Sequence, residues 1–132
     1  LEFRRVLFRS TKYNHYLFNA ELFKHFKKGA VFVNCARGSL VDTKALLDAL
    51  DNGVIKGAAL DTYEFERKLF PSDQRGKTLN DPLLESLIDR EDVILTPHIA
   101  FYTEAAVENL IVDALDATLD VLQTGDTRLR VN

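Results

Sequence analysis

The chain has 132 residues, 46% of them apolar, and a formal net charge of −3, which suits one domain or part of a larger one with a packed core. Its 17 Lys and Arg are scattered among 20 Asp and Glu, so there is no basic footprint for nucleic acid. No stretch approaches the roughly 18 apolar residues of a membrane span, and the single cysteine, Cys35, cannot close an intramolecular disulfide.

Residues 1–10 (LEFRRVLFRS) place three Arg among apolar residues with neither a helical nor a strand period. They read as a non-native leader, with a short strand at 6–8 as the alternative. Methionine is absent, so the natural start is expected to be missing; with no secretory signal visible and a lone Cys35, the expected setting is a reducing cytoplasm. From residue 11 onward, helical and strand patterns alternate. Asn19 is placed to cap a helix over 20–27, Phe18 and Phe23 are spaced as a hydrophobic staple, and Gly29 stops the helix. The run AVFVNC, 30–35, reads as a buried strand. Asp42 or Thr43 caps the next helix, whose apolar face is Leu46, Leu47 and Leu50, and Gly53 suits a left-handed C′ position.

A second buried strand is expected over 56–62, then a polar surface loop over 67–80 and a helix from Pro82 to Ile88. A third strand, 92–96, halts at Pro97. The final helix starts near Thr103 and ends at Gly125. Val107, Leu110, Ile111, Ala114, Leu115, Thr118, Leu119 and Leu122 form a wide apolar stripe along it. Strands alternating with helices imply an α/β fold with a parallel sheet covered on both faces. The pattern is that of the second half of a doubly wound, Rossmann-like domain over 11–103, followed by a long C-terminal helix and tail over 104–132. Glycines fall at 29, 38, 53, 57, 76 and 125, so no pair has the G-x-G spacing of a dinucleotide fingerprint.

In such sheets ligands bind beyond the carboxyl ends of the strands. The residues there are Ala36-Arg37-Gly38 after the first strand, Asp61, Glu64 and Glu66 after the second, and Pro97-His98 after the third. Arg37 offers a planar fork for a carboxylate, although an ordinary ion pair is equally available to it. Gly38 permits close approach of the backbone to a ligand or merely makes a turn. Glu66 could hold an imidazolium at His98 and so supply a general acid near neutral pH. Asp61, at the end of a buried strand, needs a partner, either as a helix cap or as a hydrogen-bond acceptor for a cofactor. Cys35, in an apolar run, reads as a packed hydrophobe rather than a nucleophile. His15 and His25 lie outside this cluster as surface residues, and no Cys/His grouping suggests a metal site.

The segments VNCARGSLVDTKAL, GAALDTYEFE and VILTPHIAFYT resemble the D-2-hydroxyacid dehydrogenases, and the likeness extends from Thr11 to about Gln123. HIAFYT is similar to the branch acting on D-lactate and D-hydroxyisocaproate. The resemblance implies hydride transfer between NAD(H) and a small D-2-hydroxy acid/2-oxo acid pair, D-lactate/pyruvate before D-hydroxyisocaproate or D-3-phosphoglycerate. A nucleotide-sensing co-repressor is the alternative from a different class. The resemblance assigns the substrate-carboxylate clamp to Arg37, the acid paired with the catalytic histidine to Glu66, and proton exchange to His98. It places Asn14, Cys35, Ala36, Arg37, Asp61, His98 and Ala100 around NAD, with Asp61 at the nicotinamide carboxamide. Phe101 joins Arg37 and His98 at the substrate. Thr62 and Phe65 depart from the family, which often has Val and a small residue there. The family's glycine-rich loop, ribose-binding acid and substrate lobe have no counterpart in these residues, so the preference for NAD over NADP is inherited from the family. The chain is therefore expected to be the C-terminal part of a longer, homodimeric enzyme, and inactive and poorly stable alone.

Overall fold

A computed structural model of the chain describes residues 11–69 and 73–130. The leader expected at 1–10 lies outside the described residues. Two compact units divide the chain, one ending at His98 and the other running from Ile99.

In the first unit, helix α1 (Ala20–Phe23) leads into β1 (Ala30–Asn34), a short 3₁₀ turn (Gly38–Leu40), α2 (Thr43–Asp51), β2 (Ile55–Leu60), a second 3₁₀ turn (Glu66–Lys68), α3 (Pro82–Ile88) and β3 (Val93–Leu95). Local chemistry accounts for the boundaries. The Asn19 side chain accepts from the Leu22 amide, Asp42 from Ala45 and Asp81 from Leu84, so each helix starts on a side-chain cap. Gly29 and Gly53 adopt φ of +80° and +67°, left-handed turns that lie directly before β1 and just after α2. Helix α1 is shorter than its periodicity predicts, because the backbone from Lys24 tightens into turns whose amides reach back only to Leu22 and Phe23. Phe18 and Phe23, spaced as a staple, both pack their rings on Phe32 of β1, at 5.1 and 5.6 Å between centroids.

The strands pair in parallel in the order β1-β2-β3. Register places Phe32, Ala58 and Val93 side by side, then Asn34, Leu60 and Leu95. These point to the face that joins the core with Leu46, Leu50, Leu84 and Leu87. A whole doubly wound sheet carries helices on both faces; in this half of one, α2 and α3 pack into the same core on a single face. Val31, Val33 and Ile94 on the other face are 62%, 42% and 67% exposed. The order of the strands explains this. Both crossovers step the same way across the sheet, and right-handed crossovers that step the same way lay their helices on one face.

The second unit is dominated by α4 (Glu104–Thr124), capped by the Thr103 hydroxyl and ended by Gly125 at φ +78°. None of its residues is buried, and Leu110, Leu115 and Leu122 of the stripe are largely exposed. Among the described residues no helix is long and apolar enough to cross a membrane.

Candidate active site

Parallel strands end at a common edge, so the segments after β1, β2 and β3 meet there. After β1, the buried Asn34 side chain accepts from the Ala36 amide at 3.1 Å and donates to the Arg37 carbonyl at 3.0 Å. Arg37 itself is exposed, and its guanidinium donates to the Ala36 carbonyl at 2.6 Å. Among the described residues no carboxylate pairs with it. Gly38 then passes directly over the next strand's loop: a Cβ there would stand 2.0 Å from the Tyr63 carbonyl carbon and 2.4 Å from the Glu64 nitrogen. Its small size thus serves backbone against backbone.

After β2, Asp61 is only 4% exposed. It caps no helix; its carboxylate accepts the Thr96 hydroxyl at 2.5 Å, tying the end of β2 to the end of β3. Tyr63 is buried, with its phenol 2.8 and 2.9 Å from the two Asp81 oxygens, and burial followed by that bond pushes its ionisation far up. Glu64 accepts from the Tyr16 phenol at 2.5 Å and from the Thr43 amide at 3.3 Å, so it fastens the segment before α1 to the edge. The bond to Glu64, then burial, pushes Tyr16 up to about 12. Glu66 turns inward: one carboxylate oxygen accepts from the Tyr63 amide at 3.0 Å, and the other lies 2.9 Å from His98 Nδ1.

After β3, the His98 amide donates to the Asp61 carbonyl at 2.7 Å and to Thr96 at 3.0 Å. His98 has φ +56°, a left-handed conformation that costs a β-carbon residue free energy and persists where the surroundings impose it. The bonds to Asp61 and Glu66 impose it here. The imidazole side chain is 34% exposed against 16% for Glu66. The pair is therefore sheltered on the carboxylate side and open on the ring side.

Of the residues expected at this edge, the structure joins Glu66 to His98 directly and sets Arg37 on the same edge two strands away. Asn14 lies in the turn before Tyr16, whose amide donates to Ser39 beside the β1 loop. Cys35 is exposed at the strand end rather than packed, because β1 stops at Asn34. Ala100 and Phe101 belong to the second unit, where both are exposed. His15 and His25 are exposed, and the His15 ring lies 4.0 Å from that of Tyr16. The patterns of the sequence do not single out Asn34 and Thr96. Their only signal is a polar side chain at the last turn of an apolar strand, where an unpaired group is costly.

The donor set suits the nicotinamide end of a dinucleotide. Asp61 offers a buried carboxylate that can accept from a carboxamide, and the small side chains of Cys35 and Ala36 leave room for a flat ring. Among the described residues no group of His, Cys, Asp and Glu could hold a metal.

The chain is similar to known proteins. The family described as "D-isomer specific 2-hydroxyacid dehydrogenase, NAD binding domain" matches residues 5–100. The D-lactate dehydrogenase of Streptococcus pyogenes serotype M1 is 50% identical over 122 residues, which are 92% of this chain and 37% of that protein. A solved D-lactate dehydrogenase from Treponema pallidum superposes with a TM-score of 0.84 at 47% identity, covering 89% of this chain and 35% of its own. A D-2-hydroxyisocaproate dehydrogenase structure reaches the same TM-score, 0.84, at 35% identity, over 94% and 37% of the two chains. The chain thus spans little more than a third of these relatives.

Proposed function

This chain belongs to the D-isomer specific 2-hydroxyacid dehydrogenases, through their NAD-binding domain, and from that premise we propose that the intact protein carrying it interconverts a small 2-oxo acid and its D-2-hydroxy acid, pyruvate and D-lactate first. The observation that carries the proposal is the 2.9 Å contact between Glu66 and His98 Nδ1 at the carboxyl edge of the sheet.

When bound, NADH supplies the hydride that reaches the carbonyl carbon. The protein's residues do the rest. Arg37 binds the substrate carboxylate through its planar fork and so orients the carbonyl. His98 Nδ1 is committed to Glu66, so proton exchange with the substrate falls to Nε2. As the carbonyl oxygen gains negative charge, His98 donates the Nε2 proton to it, and the Glu66 carboxylate stabilises the imidazolium before that transfer. In the oxidation direction the neutral imidazole takes the hydroxyl proton. Asp61, its carboxylate oriented by Thr96, would hold the cofactor's carboxamide. Cys35, Ala36 and Asn14 would line the cofactor. The family resemblance adds Ala100 for the cofactor and Phe101 for a small apolar side chain of the substrate.

The 50% identity to a D-lactate dehydrogenase supports pyruvate over bulkier acids. The test is steady-state NADH oxidation by the intact protein with pyruvate, 2-oxoisocaproate and 3-phosphohydroxypyruvate, repeated with NADPH. The expected outcome is the highest kcat/KM for pyruvate with NADH. Equal or better turnover of either larger acid would overturn the substrate assignment, and turnover of none would overturn the reading of the site.

A further inference from the structure

The polar residue that closes β1 does more than end a strand. Asn34 is 6% exposed, and its backbone pairs with β2, where its carbonyl accepts from the Asp61 amide at 3.0 Å. Its side chain is therefore free to act along its own chain. It folds back over the next three residues, accepting from the Ala36 amide at 3.1 Å and donating from Nδ2 to the Arg37 carbonyl at 3.0 Å. An amide is the only side-chain group of that length that can both accept and donate there. These two bonds hold the Cys35–Ala36 and Arg37–Gly38 peptides, so they bracket the backbone through Ala36 and Arg37 and restrict the direction in which the Arg37 side chain leaves it. The other flank of the same loop is set by Gly38 against the peptide between Tyr63 and Glu64.

We propose that Asn34 is a positioning residue for Arg37: its carboxamide clamps the loop after β1 so that the guanidinium stands ready for a substrate carboxylate. The inference rests on the 2-oxo acid reading of the site. It separates two duties within one residue. The backbone carbonyl of Asn34 serves Asp61, on the cofactor's side, and the side-chain NH₂ serves Arg37, on the substrate's side. A change confined to the NH₂ therefore strikes substrate recognition and spares cofactor binding.

Asn34→Asp makes that change. The carboxylate can still accept from the Ala36 amide and so keeps the cofactor end of the loop in place, but it sets an acceptor against the Arg37 carbonyl and pushes that peptide away. In the intact protein, N34D should raise KM for pyruvate about tenfold, because a displaced orienting group costs that much or more, with the NADH dissociation constant unchanged in a fluorescence titration. Asn34→Ser, whose hydroxyl reaches Ala36 but not Arg37, should show the same split and serves if N34D does not fold. A folded variant with an unchanged pyruvate KM would overturn the inference. A parallel weakening of pyruvate and NADH would overturn it too, since that is what a general loosening of the strand ends produces. No 2-oxo acid reduction by the unsubstituted protein would instead defeat the reading on which the inference stands.

Discussion

Gly38 and Tyr63 approach so closely that a single added carbon at Gly38 would lie 2.0 Å from the Tyr63 carbonyl carbon and 2.2 Å from its oxygen. That contact sets the loop bearing Arg37 against the loop bearing Glu66, so the spacing of the two groups depends on the absence of a side chain. Gly38→Ala must push apart two backbones, neither of which can swing aside like a flexible side chain. It is expected to destabilise the intact protein by about 1–3 kcal/mol, the usual range for overpacking, and to depress kcat/KM for pyruvate. Melting and steady-state kinetics check both parts; a variant indistinguishable from the parent in each would show that the two loops are independent.

The Glu66–His98 pair sets the next expectation. His98→Asn removes the proton donor and should lower kcat/KM for pyruvate by about 10²–10⁴-fold, the usual contribution of a general acid, while NADH still binds. Glu66→Gln keeps a group of the same size near Nδ1 but withdraws its charge, so it should lower kcat more than it raises KM for pyruvate. Unaltered turnover in either variant would remove that residue from the mechanism.

Sequence patterning reveals features written in consecutive residues. Of the two residues expected to cap α2, Asp42 does so, and the Pro82–Ile88 helix has the expected bounds. Arg37, Glu66 and His98 stand out because each comes shortly after a strand, which is a matter of order along the chain. Features that depend on partners distant in sequence stay hidden. Nothing near Gly38 announces that its neighbour is the peptide at Tyr63. Nothing near Asp61 announces Thr96, so a helix cap stays open until the structure shows the Thr96 hydroxyl on its carboxylate. The bare face at Val31, Val33 and Ile94 is hidden for another reason: apolar alternation says that a face wants cover, and only the direction of the crossovers says which face receives it.

Tyr16 gives a pH expectation with a definite sign. Its phenol is pushed from 10.0 up to about 12, first by donating to Glu64 and then by burial. A group whose ionisation is raised by folding contributes stability in full below its unfolded value and loses it as the pH climbs through the folded one. The stabilisation should therefore hold up to about pH 10 and drain away between there and about pH 12. Melting temperatures of the parent and Tyr16→Phe, measured from neutral to alkaline pH, should differ by a constant amount at first and converge over that interval. Curves that stay parallel throughout would mean that the phenol does not hold its proton for Glu64.

Thr62 carries the last expectation. It follows Asp61 directly, is 2% exposed, and its hydroxyl has no hydrogen-bond partner among the described residues. A buried hydroxyl without a partner forfeits its bonds to water and gains nothing in return, a cost of about 1–3 kcal/mol. Valine has nearly the same shape and carries no polar atom. Thr62→Val should therefore stabilise the protein by about 1 kcal/mol, because the methyl that replaces the hydroxyl has no hydration to lose. Thr62→Ser is the control: it keeps the stranded hydroxyl and removes the packed methyl, so it should lower stability. Neither change touches Asp61 or Glu66, and kcat/KM for pyruvate should stay near that of the parent. Thermal melting of both variants decides the matter. If Val lowers the melting temperature while Ser leaves it unchanged, the hydroxyl makes a bond that supports the turn between Asp61 and Tyr63, and Thr62 would then count among the residues that hold the site in shape.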